Sequence, residues 1–406
     1  MKSHFLLSSL LMIVSIAFCS CDKREDPFVE EEKEALEIVS LPKTRLSLDE
    51  TQMKNIGPSN DFSFKYFRNN LKDGENLFLS PLGIQTVIAM SANYGKASED
   101  LCEFLGFGKG HITEINDYYK NLIGNLQGDN FKKELTLANS IMADSGAKKY
   151  PSDFLGILRD YYYADYLEIE AKSLLEQPVG DRPEDLWCKD KTGGLIGVAP
   201  FPITKNESSF LNAFCFYGQW KDKFDKEMTR EDLFFATPET TVTVPMMNKT
   251  AKFKYHKNED FKAVSLPFGD GTFELSVFLP NSEFNLRGML ANLNNDTWDK
   301  MRTGMVNTEL ALTIPCFTAT CEHQVILADD SLPEGIGILG QKTVFKMDED
   351  GASAAAVTQN RTPTAPEQSG NKTQVFKANT PFLYTISETG SGLVLFIGVF
   401  SGKEEA

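Results

Sequence analysis

The chain has 406 residues, of which 41% are hydrophobic and 30 are phenylalanine, and this is enough to bury a sizeable core. Its formal net charge of −16 disfavours nucleic acid and anionic membrane surfaces as partners, because both are bound through basic surface. No linker-like segment follows residue 60, so we expect one large folded domain.

The N-terminus is typical of a targeting segment. Lys2 precedes an apolar stretch, Phe5–Phe18, that is short for a membrane span. The run Phe18-Cys19-Ser20-Cys21 resembles a bacterial lipoprotein processing site, which implies a signal peptide over residues 1–20 and acylation of Cys21. The alternative is an ordinary secretory signal cut near the same place. We therefore expect a lipid-anchored protein of the cell envelope, at the outer membrane or cell surface, or alternatively a secreted or periplasmic protein.

The segment that follows, residues 21–58, is polar and acidic. This composition predicts a flexible tether that holds a domain away from a membrane. The folded domain is then predicted to span residues 59–402, and residues 403–406 form a short tail.

Helical periodicity dominates the front of this domain, and alternating strand patterns dominate the rest. Helices are predicted at Phe62–Leu71, Ile84–Asn93, Ile115–Leu126 and Phe154–Tyr163. Strands are predicted at Thr241–Met246, Phe273–Leu279, Glu309–Phe317, Thr343–Met347 and Phe382–Ile386. Asp270-Gly271 between two strand patterns predicts a tight hairpin. Helices first and strands later, without a βαβ rhythm, indicate an α+β fold.

The most informative segment begins at the end of the strand Thr343–Met347. An acidic pair and a glycine are followed by a run of small residues: Glu349, Asp350, Gly351, Ala352, Ser353, Ala354, Ala355, Ala356, Val357 and Thr358. Such a run can enter a crowded sheet because it brings almost no bulk and no buried charge. Residues 359–374 are rich in Pro, Thr, Asn and Gly, which predicts an exposed loop before the chain returns to a strand.

Several further segments occur in a fixed order along the chain. They are Asn76-Leu77-Phe78-Leu79-Ser80-Pro81, Leu211-Asn212-Ala213 continuing to Trp220 and Thr229, Val244-Pro245-Met246-Met247, and Phe382 with Gly390, Phe396 and Gly398. Together with the small-residue run, they resemble the serpin family over residues 60–402. The resemblance implies three β-sheets surrounded by eight or nine helices, with an exposed reactive-centre loop at about residues 349–375.

The same resemblance implies an inhibitor that is not an enzyme and acts as a suicide substrate. A serine or cysteine protease would cut the loop and form an acyl-enzyme, and the loop would then enter the main sheet as a new strand. No cofactor or metal is implied, and a monomer is expected. The alternative is a non-inhibitory surface lipoprotein of the same fold that acts as a binding module. The small residues of the run favour inhibition, because non-inhibitory relatives usually carry bulky or charged residues there.

The scissile bond of family members lies about fourteen residues beyond the hinge glycine. From Gly351 this predicts the bond Thr364–Ala365, since a cut after Ala365 would place Pro366 directly after it. A small residue before the cut suits an elastase-like protease or another with a small pocket. Arg361 and Lys372 are alternative sites for a trypsin-like protease.

Five residues are predicted at the opening of the main sheet: Ser80, Gly83, Asn212, Trp220 and Gln341. At several positions the chain differs from the family pattern. Gln341 stands where many serpins have a histidine, and Gly83 stands where they have a serine. Cys316 replaces a lysine that often pairs with the acid matching Glu349, so that ion pair cannot form. The chain between residues 317 and 341 is roughly twenty residues shorter than usual in the family.

Three other patterns are weak indicators of function. Gly335-x-Gly337-x2-Gly340 matches a dinucleotide-binding string, but an alternating strand pattern follows it where that motif needs a helix start. Cys316, Cys321 and His323 could be metal ligands, although a structural zinc site needs a fourth ligand and paired spacings. The five cysteines beyond residue 21 are expected to be buried thiols, with one disulfide left open.

Overall fold

The computed structural model describes residues 39–94, 98–109, 111–132, 134–147, 149–172, 177–325, 336–352 and 373–403. The α-helices in these ranges are α1 Glu50–Lys54, α2 Ile56–Asn70, α3 Pro81–Ala92, α4 Ser98–Phe104, α5 Ile112–Leu126, α6 Ser152–Tyr162, α7 Pro183–Lys191, α8 Leu286–Ala291 and α9 Asn295–Thr303. The four predicted helices are present, and the predicted α+β fold is confirmed. Among the described residues, no helix has the length and apolar character needed to cross a bilayer.

The described strands form two hydrogen-bonded sheets. One sheet has the order β1 Leu77–Leu79, β16 Val394–Phe400, β15 Phe382–Glu388, β9 Phe273–Pro280, β8 Phe261–Phe268, β7 Thr241–Lys257, β10 Val306–Pro315 and β14 Gln374–Lys377, with β6 Arg230–Phe235 paired to β7. The other has the order β3 Ala164–Ile169, β2 Leu135–Asp144, β4 Ser208–Phe216, β12 Ile336–Asp348, β13 Gly351–Ala352 and β5 Gly218–Gln219, with β11 Phe317–Val325 paired to β12. We call the second the main sheet.

The resemblance implied three sheets, whereas the hydrogen bonds of the described residues join into two. The reason is the length of β7, which has 17 residues. Its first part pairs with β6, its last part pairs with β8, and β10 pairs with it from Met246 to Tyr255. One continuous strand therefore merges two of the implied sheets. The predicted hairpin at Asp270-Gly271 is present between β8 and β9.

The predicted strand Glu309–Phe317 is two strands. β10 ends at Pro315 and β11 begins at Phe317, and the two belong to different sheets. The amide of Cys316 between them donates to the carbonyl oxygen of Pro245 at 2.8 Å. An uninterrupted apolar pattern does not reveal such a crossing, because both strands face the same core.

The two faces of the main sheet are covered differently. α3 packs against β4 and β12 on one face, which we call the core face, and every one of its residues is buried. Its first turn is fixed by Pro81 and by Ser80, whose Oγ accepts from the amide of Gly83 at 3.2 Å. On the same face of the main sheet, Phe345 of β12 packs on Tyr384 of β15, with ring centroids 5.3 Å apart.

The opposite face, which we call the front face, carries α7. Its start is held by a buried ion pair, in which Arg182 Nε and Nη2 donate to the two carboxylate oxygens of Asp185 at 2.7 and 2.8 Å. Trp187, Ile196 and Leu211 belong to the separate apolar core beneath this helix. This helix is absent from the predicted elements, although Pro183 and the acidic residues of its first turn are ordinary signals of a helix start.

The predicted tether to residue 58 is wrong for its last part. Leu46 is buried, Thr44 Oγ1 donates to Glu388 Oε2 at 3.0 Å, and Asp49 caps α1. The apolar side chains of Leu46 and Ile56 explain this packing, because exposing them would forfeit burial energy. The ordered body of the chain therefore begins well before residue 59.

Candidate functional site

The base of the predicted loop is already a strand of the main sheet. After β12 ends at Asp348, the chain reverses through Glu349 and Asp350 and forms β13. Gly351 and Ala352 pair antiparallel with Asp348 and Met347 of β12 on one side. On the other side they pair antiparallel with β5. The first two residues of the small-residue run thus lie between two strands of the sheet.

Gly351 occupies a position that only glycine fits. Its φ angle is +141°, a region that side chains disfavour. A Cβ at this position would also overlap the carbonyl oxygen of Gly218 and the Cα of Gln219. Ala352 beside it is fully buried. The entry of the chain into the sheet therefore depends on the small size of both residues.

Hydrogen bonds and ion pairs hold the turn that leads into β13. Asp350 accepts from Lys226 Nζ at 2.7 Å and from Lys223 Nζ at 2.9 Å, and these bonds lower the pKa of its carboxyl. Trp220 Nε1 donates to the carbonyl oxygen of Asp348 at 2.8 Å. The amides of Trp220 and Phe224 donate to the carbonyl oxygens of Asp350 and Glu349. Trp220 therefore lies at this turn.

Glu349 has a neutral partner. Its Oε1 accepts a hydrogen bond from Thr229 Oγ1 at 2.6 Å. Cys316 lies close enough that burial, reinforced by the charges of Glu349 and Asp348, raises the pKa of its thiol to about 12. The ionic contacts of this turn fall instead on the next residue, Asp350. The sequence did not predict the contribution of Lys223 and Lys226.

Four predicted residues of the opening meet in one buried cluster on the core face. Ser80 N donates to Gln341 Oε1 at 2.8 Å, and Gln341 Nε2 donates to the carbonyl oxygen of Ser80 at 2.9 Å. Gln341 Nε2 also lies 3.3 Å from Asn212 Oδ1, the longest of these contacts. Asn212 Nδ2 in turn donates to Asn139 Oδ1 at 2.8 Å. The side chain of Gln341 therefore makes two hydrogen bonds to Ser80, which lies between β1 and α3, and one longer contact to Asn212 of β4.

Gly83 explains how a glutamine fits here. A Cβ on Gly83 would overlap both Asn212 Oδ1 and Gln341 Nε2. The two departures from the family pattern are therefore coupled, because the amide of Gln341 fills the space that a side chain at position 83 would need. The exchange keeps the buried polar groups hydrogen-bonded.

The boundary between β4 and β12, which we call the seam, is closed only in part. Residues 336–342 of β12 pair with residues 208–213 of β4 in parallel. Met347 and Asp348 pair with β13 instead. Among the described residues, the stretch Thr343–Lys346 has no strand partner on this side, and neither has Phe214–Tyr217 of the facing chain. A gap of four residues thus lies directly ahead of Ala352.

The register of β13 fixes where later residues would lie on insertion. Gly351 and Ala352 pair with Asp348 and Met347 on one side and with Gln219 and Gly218 on the other. Continuing that register places Ala354 between Phe345 and Phe216, on the core face. It places Ser353 between Lys346 and Tyr217, on the front face. Even-numbered positions from 352 to 364 then face the core, and all of them are Ala, Thr or Asn.

Several predicted residues lie outside the described residues. They are the remainder of the small-residue run (Ser353, Ala354, Ala355, Ala356, Val357 and Thr358), the bond Thr364–Ala365, the alternatives Arg361 and Lys372, and Cys21. Gly337 and Gly340 of the glycine string lie within β12, where the string lacks the strand–turn–helix context of a dinucleotide site. His323 on β11 is hydrogen-bonded to the hydroxyl of Tyr66 at 2.8 Å.

Comparison with known proteins gives one consistent result. A family model described as "Serpin (serine protease inhibitor)" matches residues 58–329 and 336–402. A serpin-like protein of Thermococcus kodakarensis is 26% identical over 394 residues, which cover 88% of each chain. Corticosteroid-binding globulin of Sus scrofa is 26% identical over 375 residues, covering 85% of this chain and 90% of the globulin. The crystal structure of tengpin, a thermophilic serpin in its native state, has a TM-score of 0.74 at 25% identity and covers 90% of this chain and 96% of tengpin.

Proposed function

Because the chain belongs to the serpin family, a family of protease inhibitors and not of enzymes, we propose that it inhibits serine proteases as a suicide substrate. The target cuts the loop between β13 and β14 and becomes acylated. The freed arm then enters the seam between β4 and β12 and carries the acylated protease with it. A cysteine protease that forms the same kind of acyl-enzyme is the second class of target.

One observation carries this proposal: Gly351 and Ala352 already form β13 inside the main sheet. Insertion therefore extends an existing strand instead of nucleating a new one. The four-residue gap ahead of Ala352 accepts the first steps, and each new ladder hydrogen bond contributes about 1 kcal/mol net. At the level of Phe345 and Phe216 the continued register would place Ala354, whose small side chain limits overlap with the two rings.

The register also favours one scissile bond. Continuing from β13, Pro363 comes level with Ile336, the first residue of β12. An arm cut after Thr364 would therefore run the full length of β12. An arm cut after Arg361 stops two residues short, and one cut after Lys372 is several residues too long. This supports cleavage at Thr364–Ala365 by a protease with a small pocket.

The competing function is that of a binding module without inhibitory activity. Corticosteroid-binding globulin is a relative whose name describes a protein that binds corticosteroids. An inhibitor needs an arm that can enter the sheet, and the residues after Gly351 are small up to Thr358 and uncharged up to Asn360. This composition supports inhibition over carriage.

The deciding experiment incubates the purified chain with a panel of serine and cysteine proteases and resolves the products on denaturing gels. Inhibition predicts a covalent complex of chain and protease that survives the detergent, strongest with elastase-like enzymes. Mass spectrometry of the small released peptide identifies the cut bond. Clean cleavage of the loop by every protease, with no complex, would instead support the binding module.

For the location of the protein, we propose attachment to the cell envelope through acylated Cys21. The supporting feature is the lipoprotein-like sequence Phe18-Cys19-Ser20-Cys21 followed by an acidic segment. Expression of the full chain with a labelled fatty acid should label the protein and place it in the membrane fraction. Cys21→Ser should abolish both; a mutant that stays labelled would refute the anchor.

A further inference from the structure

The segment between α7 and β4 forms a unit with that helix, which we call the α7 module (residues 182–207). Its hydrogen bonds hold it to one side of the seam. They run from Ala199 N to Asp185 Oδ1 (2.7 Å), from Ile203 N to Glu184 Oε1 (3.3 Å), from Asn206 N to Asp144 Oδ2 (2.8 Å) and from Tyr217 Oη to the carbonyl oxygen of Thr192 (2.9 Å). All of these partners lie in α7 itself, at the end of β2, or just after β4.

One side chain of the module reaches across the seam. The ring of Phe201 occupies the space in which a Cβ on Gly340 of β12 would lie. Gly340 pairs with Leu211 of β4, and Leu211 belongs to the apolar core beneath α7. Phe201 therefore sits on the front face directly over the closed part of the seam.

The register of insertion brings a specific loop residue to this level. Continuing from β13, Gln359 comes to lie between Gly340 and Leu211. Gly340 and Leu211 both face the front, so the side chain of Gln359 would also point to the front face. It would enter the space that the ring of Phe201 now fills.

We propose that Phe201 is a gate for the second half of loop insertion. This inference rests on the proposed function and divides insertion into two stages. Residues 353–356 enter the existing gap without disturbing the paired strands. From Val357 onward β12 must part from β4, and at Gln359 the ring of Phe201 must leave Gly340. The rest of the α7 module stays with β4, because the four hydrogen bonds given above join it to α7, to the end of β2 and to Tyr217 after β4.

A synthetic peptide of residues 353–364 tests the gate without a protease. It is added in excess to the intact full chain, and its incorporation is followed by native gel mobility and by the rise in melting temperature. Phe201→Ala should accelerate incorporation about tenfold, which corresponds to about 1.4 kcal/mol in the barrier. Ile196→Ala is the matched control, because it shortens a fully buried side chain of the same module. It should change the rate by less than about twofold.

Two coupled changes separate a gate from general loosening. A peptide with Gln359→Gly carries no side chain at the level of the ring, so Phe201→Ala should accelerate it much less than the natural peptide. Gly340→Ala introduces a Cβ into the space of the ring and should also accelerate incorporation, with no further effect in the Phe201→Ala background. Equal acceleration by Ile196→Ala, or equal acceleration of both peptides, would overturn the gate.

The outcomes also distinguish this inference from the proposed function. If no variant incorporates the peptide, the seam does not open, and the gate and the insertion mechanism fail together. If all variants incorporate the natural peptide at the same rate, only the gate fails. A covalent complex with a protease, formed by the unmodified chain, would then still support inhibition.

Discussion

The register of β13 makes a prediction about two neighbouring positions of the bait arm. Ala354 would insert between Phe345 and Phe216 on the core face, whereas Ser353 would insert between Lys346 and Tyr217 on the front face. Phe345 is buried, and the side chain of Lys346 is 51% exposed. Ala354→Glu and Ser353→Glu therefore place the same carboxylate in opposite environments.

The two variants are expected to differ strongly in their rate of loop insertion. A carboxylate forced between two buried rings costs several kcal/mol, either as desolvation or as the uptake of a proton. If about 3 kcal/mol of this appears in the transition state for insertion, insertion slows by roughly a hundredfold. Deacylation of the protease is unaffected, so Ala354→Glu should be cleaved as a substrate. Ser353→Glu gains Lys346 as a neighbour and should stay within about 0.5 kcal/mol of the parent.

The assay is the stoichiometry of inhibition, measured by titrating a fixed amount of the target protease with each variant. Ala354→Glu should require far more inhibitor per protease, whereas Ser353→Glu should titrate like the parent. Ala354→Val, which is larger but uncharged, separates charge from size and should fall between them. Equal inhibition by both glutamate variants would refute the assigned register, and loss of inhibition only in Ser353→Glu would mean that the arm inserts with the opposite face inward.

Three other predictions follow from the site. Gly351→Val should expel β13, because a side chain there overlaps the facing strand, and should make the hinge amides exchange with solvent faster by mass-detected hydrogen exchange. Gly83→Ala should lower the melting temperature by disrupting the Gln341 cluster, and it should lower it less in the Gln341→Ala background than in the parent; equal losses in the two backgrounds would show that the two positions are not coupled. The pKa of Asp350 is lowered in the folded state, so its stabilising contribution is present above the unfolded pKa of about 4 and is lost as the pH falls below it. The protection factors of the hinge amides, in which exchange rates are corrected for the intrinsic effect of pH, should therefore not change from pH 8 to 5 on account of this residue and should fall only in stronger acid, a fall that Asp350→Asn should remove.

The sequence predicts a hinge and a sheet opening because both are marked by local or family-specific patterns. Gly351 and the small residues after it form a continuous run, and Ser80 begins a helix with an ordinary cap and proline. The coupling of Gly83 to Gln341 could be suspected only as two departures from a pattern. Only the geometry shows that the amide of Gln341 occupies the space that a side chain at position 83 would need.

Other features depend on contacts between distant parts of the chain. The entry of Gly351 into the sheet depends on Gly218 and on the lysines beside it, and no local pattern links these segments. The burial of α7 has no local signal, because its first turn is charged and Arg182 pairs with Asp185 in a buried contact that only the fold provides. The sequence does not predict the position of Phe201 over Gly340, since a single aromatic residue in a loop indicates only that its side chain is partly buried.

Two predicted boundaries, the end of the tether and the strand across Cys316, are wrong for a physical reason. Acidic residues dominate the composition up to residue 58 and predict a tether, but a few apolar side chains such as Leu46 are enough to anchor a segment to a large core. The strand across Cys316 was predicted as one because the apolar pattern continues through Pro315. Composition averages over a segment, whereas packing depends on individual side chains.

The most direct test of the insertion mechanism is the melting temperature before and after a single cut in the bait loop. A protease that nicks the chain between residues 359 and 372 without being inhibited is used, and both fragments are kept together. Insertion of the arm adds several kcal/mol of ladder hydrogen bonds, and each kcal/mol raises the melting temperature of a domain by roughly 2–4 °C. The nicked chain should therefore melt at least about 10 °C above the intact chain, and nicked Ala354→Glu should not. An unchanged or lower melting temperature of the nicked parent would contradict insertion.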